Sequence, residues 1–281
     1  MSSLLIVYGG LLVLGGAMVL AQRRWPQPHT PSAFDRSRAL DWSYWLVTPL
    51  GTGLLTRAVT VSLAALVALA IGLGAEGALR PLEVFHARSP VAAWPLWLQC
   101  VAAFVMADFI AYWSHRLRHR GALFELHAVH HAPERLDWLA AARMHPLDDL
   151  LDNVLVTLPV LLAGFDPRVF LALGPLFVVH TIYLHAALPF EHGALARVFA
   201  SPAFHRRHHA RPRPQSPTRS TNFGEVLSIW DVIFGTYERT EELARDFGLC
   251  GAKLEETWRG QLIEPLRRLA ARLKARGAAR S

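Results

Sequence analysis

Residues Asp108 to His131 read D-F-I-A-Y-W-S-H-R-L-R-H-R-G-A-L-F-E-L-H-A-V-H-H. His115 and His119 are four apart, and His127, His130 and His131 follow at i, i+3 and i+4. Helical residues three and four apart share a face, so each group points its imidazoles one way. The tighter pattern returns as His205-Arg-Arg-His208-His209. Imidazole is the commonest biological metal ligand and suits Fe, Zn, Cu and Ni. Eight histidines in three face-sharing sets are enough for about four ligands on each of two metals. An isolated histidine reads as a surface or core residue; two copies of one group plus an i, i+4 pair read as a polyhistidine metal centre.

The sequence around these groups is that of a membrane protein. Of 281 residues, 52% are hydrophobic and 18% charged. Apolar stretches of spanning length predict an all-α, polytopic membrane bundle. We expect about four to five membrane helices and a histidine-rich helical cap on the cytoplasmic side. The net charge of +7 comes mostly from arginine in the loops. That bias fits cytoplasmic loops facing anionic lipid, and no separate basic-aromatic surface suggests nucleic acid. Cys100 and Cys250 lie in an apolar run and a polar tail, so neither a disulfide nor a thiolate metal site is expected.

Three regions follow in order: 1–90 as N-terminal membrane anchor helices and loop, 91–240 as the di-metal catalytic domain, and 241–281 as a basic tail. Residues 4–21 are uncharged and precede Arg23-Arg24, which reads as an anchor with its N-terminus outside. Residues 22–57 read as a Pro/Arg-rich loop, with Trp42, Tyr44 and Trp45 at the membrane interface. Second and third spans are expected at 58–79 and 91–113, the latter ending in an interfacial Tyr112-Trp113. Asp108, inside that span, lies seven residues from His115, about two turns along the same side. An intramembrane carboxylate marks a functional site, and a His N–H is its expected partner. Apolar residues 150–163 and 168–188, parted by Gly164-Phe-Asp166-Pro167, predict a hairpin that returns the third histidine group to the face of the first two.

Other histidines are weaker candidates. His185 and His180 sit in the returning apolar helix, and His145 lies in Arg143-Met-His145-Pro. His192 reads as a loop or supporting residue, while His29 and His86 are left as loop residues. Residues 210–221 form a Pro/Arg/Ser loop, expected to be mobile. In the tail, Leu262, Leu266, Leu269 and Leu273 alternate at helical spacing with Arg267, Arg268, Arg272, Lys274 and Arg276. That pattern fits either a basic amphipathic helix on the membrane surface or a packed surface helix.

These motifs resemble the fatty acid hydroxylase / sterol desaturase superfamily of membrane di-iron oxygenases. The resemblance runs from about Asp108 to Tyr237. It rests on H-x3-H at His115–His119 and H-x2-H-H at both His127–His131 and His205–His209. Asp108 with Tyr112-Trp113, Arg143-x-His145-Pro, Asn222-x-Gly224 and W-D-x-x-F-G-T-Y at Trp230–Tyr237 extend it. The resemblance implies two Fe, with zinc as a possible substitute, and O2 as co-substrate. It implies hydroxylation or desaturation of a lipid C–H bond. It also implies a ligand from the helix before the third group. His185 best fits that place, while Thr181 stands where some members carry a further histidine, with His180 shifted by one. Asn222 is expected to support the site rather than to bind metal.

The chain carries no G-x-G-x-x-G and no C-x-x-C-H haem motif. A separate electron carrier and an NAD(P)H-dependent reductase are therefore expected partners, with the arginine-rich face docking an acidic carrier. H-E-x-x-H is absent, and Glu83–His86 is the only Glu-x-x-His, far from the histidine groups. Two alternatives remain: a zinc-dependent membrane hydrolase using the same histidines, or a metal-binding or transport protein. The Ala/Arg/Leu-rich usage suggests a bacterial inner membrane.

Overall fold

In the computed structural model the described residues are 2–27, 30, 32–35, 38–211, 221–239, 244–251 and 253–278, with side chains described for neither 2–6 nor 276–278. His29, most of the 210–221 loop and the Arg276 side chain thus lie outside the description. The protein is helical; among the described residues the only β pairing is an isolated bridge between Ala210 and Phe247.

The long helices are α1 (Ser2–Arg24), α3 (Thr52–Ala70), α6 (Leu96–Arg118), α8 (Pro146–Leu162), α9 (Pro167–His185) and α12 (Trp258–Ala278). Shorter ones are α2 (Ala39–Leu50), α4 (Gly74–Leu79), α5 (Pro81–Arg88), α7 (Phe124–His131), α10 (Pro202–His209) and α11 (Ile229–Ile233). Among the described residues, 39–70, 96–118 and 167–185 are helices long and apolar enough to cross a membrane. Their outward faces are apolar: Leu55, Val61 and Leu66 on α3, Val101 and Val105 on α6, and Leu171, Val178 and Val179 on α9 are all exposed. Water would not tolerate so continuous a belt; a bilayer does.

α3, α6, α8 and α9 pack side by side. Gln99, at the start of α6, accepts the Asp166 N–H of the α8–α9 turn at 2.8 Å. That turn therefore lies at one end of the bundle, and His115 and His185 lie at the other. Inside, Ala103 and Ala107 of α6 meet Val160, Phe165 and Val169. The small residues let the backbones approach, as bilayer helices without a hydrophobic drive between them require. Gly164 makes the turn at φ +75°, and a Cβ there would stand 2.5 Å from the Phe85 carbonyl oxygen.

Several sequence boundaries move. Residues 39–50, expected within a loop, are helical and continue across a tight turn at Gly51 into α3. Tyr44 and Trp45 are core residues, not interfacial ones. Trp45 donates from Nε1 to the Leu139 carbonyl at 2.8 Å and meets Trp138 edge-on at 5.0 Å. The expected span 58–79 stops at Ala70, because Gly72 and Gly74 take positive φ of 80° and 66°. Tyr112 is buried too, its hydroxyl 2.8 Å from Thr236 Oγ1. The α8–α9 hairpin forms as expected. The tail includes a packed helix, since α12 lies along α7 and Arg272 pairs with Glu125. The same helix also exposes Ile263, Leu266 and Leu273.

Gly164→Ala combines a left-handed backbone with a main-chain clash, and we expect it to cost on the order of 1–3 kcal/mol. The fall in melting temperature of the detergent-purified protein measures it; an unchanged melt would contradict the packed α5–turn contact.

Candidate metal centre

α6 continues past the expected end of its span, so His115 lies in the last turn of a membrane-type helix and His119 caps it. His127, His130 and His131 share one short helix, α7. Ser201 caps α10 by accepting the Phe204 N–H, Pro202 opens it, and His205, His208 and His209 follow. His185 closes α9.

These four helices bring nine imidazoles into two adjoining sets. His115, His119, His127, His131 and His208 form one, and His130, His185, His205 and His209 the other; in each, the candidate donor atoms lie within 4.8 Å of one another. His131 and His209 stack across the join at 4.3 Å between centroids. The eight motif histidines and His185 thus meet. His145 and His180 do not join them. His145 Nδ1 accepts the Leu147 N–H, and its Nε2 donates to the Leu262 carbonyl, so both nitrogens are spent on capping α8 and holding α12. His86 is at the far end of the bundle, against the Gly164 carbonyl, and His192 pairs with the Tyr183 hydroxyl at 2.7 Å.

The ring orientations decide what the two sets can hold. His115 Nδ1 donates to the Phe223 carbonyl (2.9 Å), His208 to Thr221 (2.9 Å), His130 to Arg143 (3.1 Å) and His185 to Thr181 (2.8 Å). His127 Nδ1 meets Asp148 Oδ2 at 2.8 Å, a carboxylate shared with Arg118 at 3.2 Å. With Nδ1 carrying the proton, Nε2 of each ring presents a bare lone pair. In the five-membered set every Nε2 is buried without a hydrogen-bond partner. In the four-membered set the Nε2 atoms of His130 and His185 face each other at 3.1 Å, with His205 3.1 Å from His185 and from His209. Two lone pairs at that separation repel unless a cation lies between them. Nitrogens about 2.1 Å from one metal stand about 3.0–3.4 Å apart, so the set has the dimensions of a coordination sphere. Such Nδ1 contacts to carbonyl and carboxylate are the usual means of fixing a ligating imidazole.

The protonation states agree. Burial, reinforced by neighbouring imidazoles and, for His119 and His127, by Arg118, holds His119, His127 and His131 well below the ordinary 6.5. Burial likewise lowers His130, His205 and His209, and brings His208 down to about 4. Neutral imidazole is the metal-binding form.

A loop after the third group supplies the carbonyls. Asn222, at φ +58°, donates from Nδ2 to Phe204 (3.1 Å) and Glu238 (3.0 Å) carbonyls and accepts the Glu238 N–H at 2.7 Å. Asp231 accepts from the Phe223 and Gly224 N–H groups at 2.8 and 2.7 Å and from Thr236 Oγ1 at 2.7 Å. Asp108 departs from expectation. It meets no histidine, but accepts from Val226 N (2.8 Å), Leu227 N (3.1 Å) and Trp230 Nε1 (2.8 Å), pinning the loop to α6. Asp148 and Arg118 went unnoticed in the sequence. Their signal was a set of acids, Asp148, Asp149 and Asp152, heading an otherwise apolar helix.

With this geometry in view, the fatty acid hydroxylase family model matches residues 100–236, the segment that carries every one of the nine histidines. The chain belongs to the fatty acid hydroxylase superfamily. It is 28% identical over 253 residues to an ornithine lipid hydroxylase of Rhizobium tropici, covering 89% of this chain and 72% of that one. Alkylglycerol monooxygenases of Caenorhabditis elegans and Homo sapiens are 31% and 30% identical over 50% of this chain, which spans only 27% and 31% of their lengths. A putative methylsterol monooxygenase of Dictyostelium discoideum is 27% identical over 56% of it. No solved structure gives a significant match. The superfamily member is thus a membrane protein whose relatives are oxidoreductases acting on lipids.

Two measurements follow from the site. Asp148→Asn removes the carboxylate that orients His127, and metal affinity should fall 10–100-fold, read by competition with a chelator. The histidines also couple stability to pH. Between pH 6.5 and about 4 the unfolded chain binds protons that the folded one excludes, so stability falls as pH drops through that window. Melts of metal-stripped protein from pH 7.5 to 4.5 should descend; a flat profile would contradict buried neutral imidazoles.

Proposed function

We propose that the two histidine sets hold two irons, and that the protein hydroxylates or desaturates an unactivated C–H bond of a membrane lipid with O2. The observation that carries this reading is nine imidazoles in two sets, five with a buried, unpartnered Nε2 and four whose Nε2 atoms face one another, with no carboxylate or thiolate in either set among the described residues. When bound, two irons supply the redox chemistry for O2 activation and C–H cleavage that no side chain provides. The chain's own residues do the rest. The carbonyls of Phe223, Thr221, Arg143 and Thr181 keep each Nδ1 proton in place. Asp148 does the same for His127 and answers the Arg118 charge, leaving the imidazoles neutral.

The lipid reaches the site from the bilayer. The exposed apolar faces of α6 and α9 run directly to His115 and His185 at their ends, so an acyl or alkyl chain can travel along them without meeting water. Electrons are supplied by a separate carrier and an NAD(P)H-dependent reductase. We place the histidine end on the cytoplasmic side of a bacterial inner membrane. The names of the relatives favour a polar glycerolipid, aminolipid or sterol as substrate.

Metal counted per chain tests the reading. Wild-type protein should hold about two irons, and His130→Ala or His208→Ala should lose metal together with all lipid-dependent O2 consumption. Full activity in either variant would overturn it, and zinc that iron cannot replace anaerobically would turn the assignment to a hydrolase.

A further inference from the structure

His180 has a ring nitrogen that the metal sets do not use. It lies on α9 five residues before His185, about 7.5 Å along the helix toward the hydrocarbon. Its neighbours Val178 and Val179 are exposed on the lipid-facing side. The backbone of Glu225 serves the His180 ring as a hydrogen-bond partner, and the Glu225 carboxylate stands 3.5 Å from His115 Nδ1. His180 is therefore between the lipid-exposed flank of the bundle and the roof of the histidine cluster. Its Nε2 is nevertheless buried with no hydrogen-bond partner. Within hydrocarbon an unanswered acceptor is costly, and water is not at hand to relieve it.

We propose that His180 binds the substrate: Nε2 accepts a hydrogen bond from an O–H or N–H group of the incoming lipid, near the carbon to be oxidised. The donor fixes how far the chain advances toward the metal sets, so His180 selects lipids with a hydroxyl or secondary amide close to the reacting position. The inference rests on the proposed lipid oxygenase, but its test needs no turnover.

The test is binding by the full-length, metal-loaded protein in nanodiscs, followed by intrinsic tryptophan fluorescence. One probe pair is 1-O-hexadecylglycerol and its dimethyl ether; the other is N-hexadecanoylglycine methyl ester and its N-methylated form. Wild type should bind the donor-bearing member of at least one pair about three- to tenfold more tightly, the range of one neutral hydrogen bond. The pair that discriminates identifies hydroxyl or amide as the donor. His180→Ala should lose the preference and keep its full metal content, while His180→Gln, which restores an acceptor, should retain it. Equal or absent binding of both pairs by wild type, or a preference that survives in His180→Ala, overturns the proposal. Metal loss from His180→Ala overturns it as well, by making the residue a ligand. Failure of the oxygenase reading would appear separately, as missing iron or O2 consumption in wild type.

Discussion

Nine unshared electron pairs pointing into two small volumes repel one another, and the structure around them exists to hold that arrangement. Five of the rings have Nδ1 engaged elsewhere, which keeps those imidazoles from turning or exchanging tautomers and withdrawing Nε2. The acceptors come from four separate stretches: Thr181 on α9, Arg143 before α8, Asp148 within it, and Thr221 and Phe223 in the loop after the third group. Burial keeps the rings neutral by penalising the imidazolium. A cation placed between them would turn the dominant repulsion into the dominant attraction, which on the proposed reading would couple metal binding to folding.

The bundle supplies depth and direction. α6 and α9 each carry apolar side chains along most of their length and a histidine in the last turn. A reactive centre at the end of two lipid-facing helices is reached by diffusion in two dimensions, with no soluble intermediate. The 222–237 loop closes the opposite side. It is tied to α6 through Asp108 and Tyr112 and to itself through Asp231. The Asp108 carboxylate belongs to this fastening rather than to the ligand set. That is a cheaper use for an anion in apolar surroundings, because three N–H groups answer its two oxygens.

The boxed histidines were legible because helical periodicity is strong over short spans and imidazole is chemically specific. The α8–α9 hairpin was legible because Gly164, Asp166 and Pro167 interrupt an apolar run. Backbone carbonyls have no sequence signature, so the partners of His115, His130 and His208 were hidden. Asn222 looked like a support, but its left-handed backbone and its three bonds emerge only from the fold. His145 misled because a helix cap and a ligand look identical in sequence. α2 was hidden for a related reason: Pro49 and the prolines before it suggest a loop, whereas Trp45, Tyr44 and Asp41 are buried by contacts with distant residues.

Arg143 links the centre to both ends of the chain. Its carbonyl holds His130, while its guanidinium reaches Asp41 on α2, Glu256, and Gln261 on α12. Synthesis runs from the N-terminus, so Asp41 and the first two histidine groups leave the ribosome before Glu256 and α12 do. Until then the residue that orients His130 lacks two of its three side-chain anchors. The order of translation thus separates insertion of the apolar helices from completion of the metal centre. Under the proposed di-iron reading, loading of the two sets would follow the emergence of α12, after the preceding apolar helices.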